Sequence, residues 1–310
     1  MALPENRAIP LQKFPEKVRR FVDPEAPEQL KDMLARGLVP MKPLVQVCAL
    51  YQLHIQESEQ LAITVVSTLR RLPTPTIRQI ATQPLQPVVL DWLAEGFSDQ
   101  DVIRTILLNR LTDDETIIRM ARRAGEDHCE LIARNQIRLL RTPELVETLY
   151  FNGNTRASTA DRILDFAARN DLDLPNIPHY REVVAAIRGE LPKTEAEAEE
   201  ADRVFREAQD ALAEMTGSNS EEHLEAAGNA LADDMGPEAA TQDHLDLEHQ
   251  KEVAHAAKKI RDLNVSQKVR LALMGTAGDR AVLIRDANKL VSRTVVRSPA
   301  VTDSEALAYA

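Results

Sequence analysis

Residues 102–121 read VIRTILLNRLTDDETIIRMA. An apolar helix end gives way to Asn109, a short gap, Thr112 and a second helix with paired apolar residues. Two further stretches repeat that order: CELIARNQIRLLRTPELVETLY at 129–150 and LVSRTVVRSPAVTDSEALAYA at 290–310. Asn135 and Ser298 stand where Asn109 stands, and residues 268–284, KVRLALMGTAGDRAVLI, form a more degenerate copy. A pair of short helices cannot bury its apolar face alone, so such units must stack on their neighbours. The pattern places Ile106, Leu107, Ile117, Leu131, Ile132, Leu145, Val146, Leu149, Ile163 and Phe166 in a shared core.

Outward from this stretch the helix-start chemistry recurs. Ser98–Asp101, Thr112–Glu115, Ser158–Asp161 and Thr302–Glu305 read as capping boxes or close relatives, with a hydroxyl for an orphan N–H and a carboxylate in the positive first turn. Thr74-Pro75 and Thr142-Pro143 set a cap before proline. Gly37 ends the helix that begins near Pro27. Leu61, Ala62, Val65, Val66 and Leu69 have the spacing of one helix face. No segment alternates as a strand between hairpin signals. The expected fold is all-α, an α-solenoid of short stacked helix pairs interrupted by an acidic flexible segment. The expected domains are a proline-rich extended arm at 1–26, an N-terminal helical repeat domain at 27–188, an acidic linker with one amphipathic helix at 189–250, and C-terminal helical repeats at 251–310.

Composition removes several function classes. Ten glycines and eleven aromatic residues in 310 are few for a phosphate-cradling α/β enzyme or a base-stacking platform. Cys48 and Cys129 alone cannot build a zinc or iron–sulfur site and suit a reducing compartment. No apolar run reaches membrane-spanning length, and no h-region follows Met1. No Walker A, GxSxG, HExxH or CxxC pattern is present. Gly275–Gly278 has GxxG spacing but reads as an interhelical turn. His244, His249 and His255 do not share one helix face as metal ligands would. The chain is therefore expected to be a non-enzyme, without cofactor or metal, in the cytoplasm.

The net charge of −11 is unevenly placed. Residues 190–249 hold 18 acidic and 3 basic side chains, a net of −15, which leaves the rest at +4. Within the acidic part, Ala201, Val204, Phe205, Ala208, Leu212 and Met215 form one apolar stripe, expected to dock on a partner or on the arginine-bearing part of this chain, and the residues after it read as a tether. Residues 101–170 carry 11 arginines and no lysine. Arg134, Arg138 and Arg141, at i, i+4 and i+7 beside Asn135, are expected to share a face whose guanidinium forks suit carboxylate or phosphate.

The order of apolar helix, Asn or Ser, Thr-x-x-Glu and apolar helix, best formed in RDANKLVSRTVVRSPAVTDSEALAYA at 285–310, resembles leucine-rich-repeat-variant and HEAT-like α-solenoids of bacteria. The resemblance covers 98–170 and 258–310 best. Leucine-rich-repeat variants occur with a cysteine-rich iron–sulfur module, whose cysteines this chain lacks. The resemblance implies a binding or scaffold protein. Function is thus expected to be non-catalytic protein–protein interaction in the bacterial cytoplasm. The partner would be another protein or an acidic peptide, met by Arg134, Asn135, Arg138, Arg141, Val204, Phe205 and Leu212. The alternative is a HEAT-like nucleic-acid-binding protein using the arginine-bearing surface.

Overall fold

The computed structural model describes residues 8–56, 59–188, 194–213 and 256–309. Among them all regular structure is helical, and no strand occurs. The chain divides into two compact units, Met1–Arg123 and Ala124–Ala310.

The first unit holds α1 (Glu16–Val22), α2 (Glu28–Ala35), α3 (Pro43–Gln56), α4 (Glu59–Arg71), α5 (Thr74–Ala81), α6 (Pro87–Gly96), α7 (Gln100–Leu108) and α8 (Asp114–Arg122). Proline opens several of these helices. Pro15, Pro27 and Pro73 are the N-caps of α1, α2 and α5. Pro75 and Pro87 lie in the first turn of α5 and α6, where no N–H is missed. This corrects the extended arm expected over 1–26. Residues 16–22 are helix, and Phe14, Val18, Phe21 and Val22 are buried. The N–H of Ile9, also buried, donates to Gln52 Oε1 at 2.7 Å. Proline marks where helices begin here, and the apolar spacing at 14, 18, 21 and 22 carries the fold.

Gly37, with φ of +74°, ends α2 as expected. Its N–H donates to Leu34 O and that of Leu38 to Met33 O, the paired bonds of a Schellman motif. The apolar helix α3 is the centre of this unit, packed against α1, α2, α4, α5 and α6. Val47, Leu50 and Leu53 of α3 and Leu90 and Leu93 of α6 are fully buried. The single tryptophan, Trp92, stands edge-on to Tyr51, with ring centroids 5.7 Å apart.

The second unit holds α9 (Glu126–Ala133), α10 (Gln136–Arg141), α11 (Glu144–Tyr150), α12 (Ala157–Arg169), α13 (Tyr180–Ile187) and α14 (Glu195–Ala213). A short α15 covers 256–261. α16 (Val265–Met274), α17 (Ala277–Leu283), α18 (Lys289–Val296) and α19 (Asp303–Tyr309) follow. The partition differs from the expected one. The break falls after Arg123, inside the stretch expected to be one N-terminal domain, and the C-terminal helices belong with 124–188. α13 packs on α12 and α16, and α14 on α12 and α17, so a sequence-distant segment completes the core. Of the ten residues expected in a core, three in the first unit and seven in the second, eight are buried; Leu131 and Phe166 are half-buried. The tether expected after the acidic helix, with His244, His249 and His255, lies outside the described residues.

Helix starts follow the expected chemistry with shifted residues. Thr302 and Glu305 do exchange their bonds: Thr302 N–H donates to Glu305 Oε2 at 2.8 Å, and Glu305 N–H to Thr302 Oγ1 at 3.3 Å. Two unexpected capping boxes, Asn264–Gln267 and Thr276–Asp279, open α16 and α17. At α7 and α8 the cap is Asp99 or Asp113, one residue after the expected hydroxyl. Thr112 is instead buried, its hydroxyl donating to Ile106 O at 2.6 Å. It fastens the end of the preceding helix.

Polar contacts between helices recur at a nearly constant distance along the chain. In the first unit, Asn109 Nδ2 donates to Ala81 O and Gln83 O, 28 and 26 residues back, and Arg123 reaches Ala94 O, 29 back. In the second, Asn152 Nδ2 reaches Ala124 O, 28 back, and Ser298 Oγ reaches Leu273 O, 25 back. Asn109 and Ser298 thus do the same work: each ties the end of its helix to the end of an earlier one. Asn135 does not; within the second unit the bond of comparable span is the one from Asn152 to Ala124 O.

Candidate interaction surfaces

α10 and the residue pair before it carry the arginines singled out by the sequence. They do not form the continuous ridge expected, because α9 ends at Ala133 and the chain breaks at Asn135, whose ψ of 74° is not helical. Asn135 Oδ1 caps α10 by accepting from the N–H of Arg138 at 3.2 Å. Arg138 is buried. Arg134 and Arg141 are exposed, the first just before α10 and the second its last residue. What the arginine reading missed lies between them. Ile137 is 73% exposed and Leu140 43%, and with Arg141 they fall at i, i+3 and i+4, one outward face. The first unit has a matching feature: Leu108 and Leu111 are exposed just before Thr112, as Ile137 and Leu140 are just before Thr142. Nothing in the sequence marks these two as outward-facing, since their spacing alone suits a core.

The acidic helix is a different kind of site. α14 docks within its own unit. Phe205 and Ala208 are buried, and the Arg270 guanidinium lies 5.3 Å from the Phe205 ring centroid. Asp202 receives the N–H and the hydroxyl of Ser158, each at 2.9 Å. It thereby caps the first turn of α12, whose own N-cap residue, Arg156, supplies no side-chain bond. A carboxylate there also meets the positive end of the helix. Gln267 Nε2 donates to Ala201 O at 3.0 Å, and Arg206 pairs with Glu126. The Glu126 carboxyl stays below its ordinary range: burial pushes it up, but hydrogen bonds from Arg156 and Arg206 outweigh that. Phe205, expected to meet either a partner or this chain itself, is therefore spent inside the fold. Val204 is half-buried. Leu212 lies within α14, and its side chain is outside the described set.

Arg270 closes this region. Fully buried, it donates through Nε to Tyr150 O at 3.1 Å and through Nη2 to Asn152 O at 2.9 Å; the first is a carbonyl at the end of α11 without a helical partner. Burial lowers its pKa, and the Tyr150 hydroxyl, Asp161 and Asp202 act against that. A charged cap linking α11, α14 and α16 is a structural device. Burial also pushes both thiols up, Cys48 to about 11, away from nucleophilic chemistry at neutral pH.

A recurring pair was also missed. Thr116 and Arg119 of α8 both bond Asp91 of α6. Thr159 and Arg162 of α12 both bond Glu130 of α9. The shared Thr-x-x-Arg spacing puts both donors on one face, aimed at a single carboxylate. No described helix is long and apolar enough to cross a membrane. Comparison with family models, with curated proteins and with solved structures finds no match for this chain.

Proposed function

We propose that the chain is a non-catalytic interaction scaffold, an α-solenoid of short helix pairs acting in the cytoplasm, whose α10 edge takes an acidic, amphipathic segment of another protein. The carrying observation is the exposed pair Ile137 and Leu140 set between Arg134 and Arg141. Apolar anchors give contact area, and the flanking guanidinium groups select carboxylates. The solenoid reading is supported by inter-helix bonds recurring 25 to 29 residues apart. Exposed leucines before Thr112 and Thr142 support a surface built from repeated positions.

Fluorescence anisotropy with a labelled acidic amphipathic peptide tests the proposal. The wild type should bind it, more weakly as salt rises, because exposed charge pairs are screened beyond about 8 Å at physiological ionic strength. Ile137→Glu should abolish binding while leaving the helical circular dichroism intact. Binding to duplex DNA with a steep salt dependence, unchanged by Ile137→Glu, would favour the nucleic-acid alternative instead.

A further inference from the structure

α4 presents a second surface, and it is self-complementary. A groove of about 570 Å³ runs along its outer side, lined by His54 of α3 and by Glu59, Ala62, Ile63, Val66, Ser67, Arg70 and Arg71. Ile63, part of that lining, is 65% exposed. The buried residues of α4 are Val65, Thr68 and Leu69, so the groove residues occupy the face turned away from the core.

The order of those residues is a palindrome of position. Glu59, Ile63, Val66 and Arg70 are spaced 4, 3 and 4, which reads the same from either end. At 100° per residue they fall within a sector about 60° wide. Ala62 and Ser67 flank that sector at equal angles on its two sides. Reversing the helix about the midpoint between Thr64 and Val65 exchanges Glu59 with Arg70, Ile63 with Val66, and Ala62 with Ser67. An antiparallel second copy would therefore set a carboxylate against a guanidinium at both ends, about 17 Å apart on the 1.5 Å rise. Branched apolar side chains would meet in the middle, and small residues at the edges would let the helices approach. An isologous two-fold contact requires this relation, in which residue i meets j and j meets i. Glu59, Arg70 and Arg71 have no ion-pair partner among the described residues, so the charges are available.

We propose that two copies of this chain pair through α4, antiparallel about a two-fold axis near Thr64–Val65, with Ile63 of each copy seated in the groove of the other. One helix face is a small interface, so the pairing is weak and depends on concentration. The surface is separate from the α10 edge and does not depend on the scaffold reading.

Sedimentation velocity on the full chain over rising concentration tests this. The wild type should pass from one chain to two. Ile63→Asp should remain a single chain at concentrations where the wild type is paired. Glu59→Arg alone sets arginine against Arg70 at both ends, and Arg70→Glu alone sets glutamate against Glu59; each should weaken pairing. Mixed together, these two variants restore both ion pairs and should form a dimer of one copy of each. The double variant Glu59→Arg/Arg70→Glu should pair with itself. All three positions are solvent-facing, and circular dichroism verifies that each variant is folded. A wild type that stays a single chain throughout overturns the proposal. A dimer indifferent to Ile63→Asp, or a mixture that fails to pair, overturns it equally.

Discussion

Phe205→Ala should release the acidic helix from its own unit. Phe205 is 5% exposed and sits under the Arg270 guanidinium. Burying a Phe side chain stabilises by roughly 1.5–3 kcal/mol, and a desolvated cation over its ring adds about 0.5–2 kcal/mol. With the cavity left behind, a loss of about 3–5 kcal/mol is expected. The polar contacts that remain, Asp202 with Ser158, Gln267 with Ala201 and Arg206 with Glu126, are partly exposed, and the small buried side chain of Ala208 does not replace Phe205. Each 1.4 kcal/mol is a factor of ten, so amide protection across 195–210 should fall at least about a hundredfold. Hydrogen exchange on the intact chain reads this directly. Arg203→Ala is the control, since among the described residues Arg203 pairs only with Glu200 and Glu207 of its own helix and should change protection little. Unchanged protection in Phe205→Ala would refute the docking energetics, as would an equal loss in Arg203→Ala.

Asn109→Ala should cost about 1–3 kcal/mol, because Ala81 O and Gln83 O lose a donor; Asn135→Ala removes only the exposed cap of a six-residue helix and should cost about 1 kcal/mol or less, an order checked by denaturant midpoints. Burial raises the Asp279 carboxyl to about 6, above its unfolded value near 3.9. The folded state then holds that proton more tightly, so its contribution is fully present below about pH 4 and is lost as pH rises through about 6, with a span of at most about 3 kcal/mol. Thermal midpoints of wild type and Asp279→Asn from about pH 4 to 8 should show that slope only in the wild type. Glu305 behaves in the opposite sense. Burial pushes its carboxyl up, but Arg280, bonded at 2.8 and 3.1 Å, holds it below its ordinary range. Its contribution is present at neutral pH and lost as pH falls through the lowered value, so Glu305→Gln should cost roughly 3–5 kcal/mol at neutral pH and much less in acid.

The all-helical architecture was legible because short apolar faces and polar starts are local signals. The core residues around Ile106, Ile132 and Leu149 followed from the same periodicity. What was lost depended on position in space. Thr112 looks like a cap in sequence, yet its hydroxyl is turned back onto Ile106 O, and Asp113 caps in its place. Ser158 looks like a cap, yet Asp202, 44 residues on, supplies the acceptor. The arginine ridge assumed one helix through 134–141, and Asn135 interrupts it. Phe205 stands out in the apolar stripe of the acidic segment, but spacing alone does not say whether such a stripe meets its own chain or another. The exposed Ile137 and Leu140 were hidden for the converse reason, since periodicity alone assigns such residues to the core.

The claim that α10 is the binding edge is tested most directly by amide chemical shifts of the isotope-labelled full chain during titration with the acidic amphipathic peptide. Saturable shifts confined to residues 134–141 and their contacts are expected, and none in Ile137→Glu. Shifts centred elsewhere, or none in 134–141 at saturation, would contradict it.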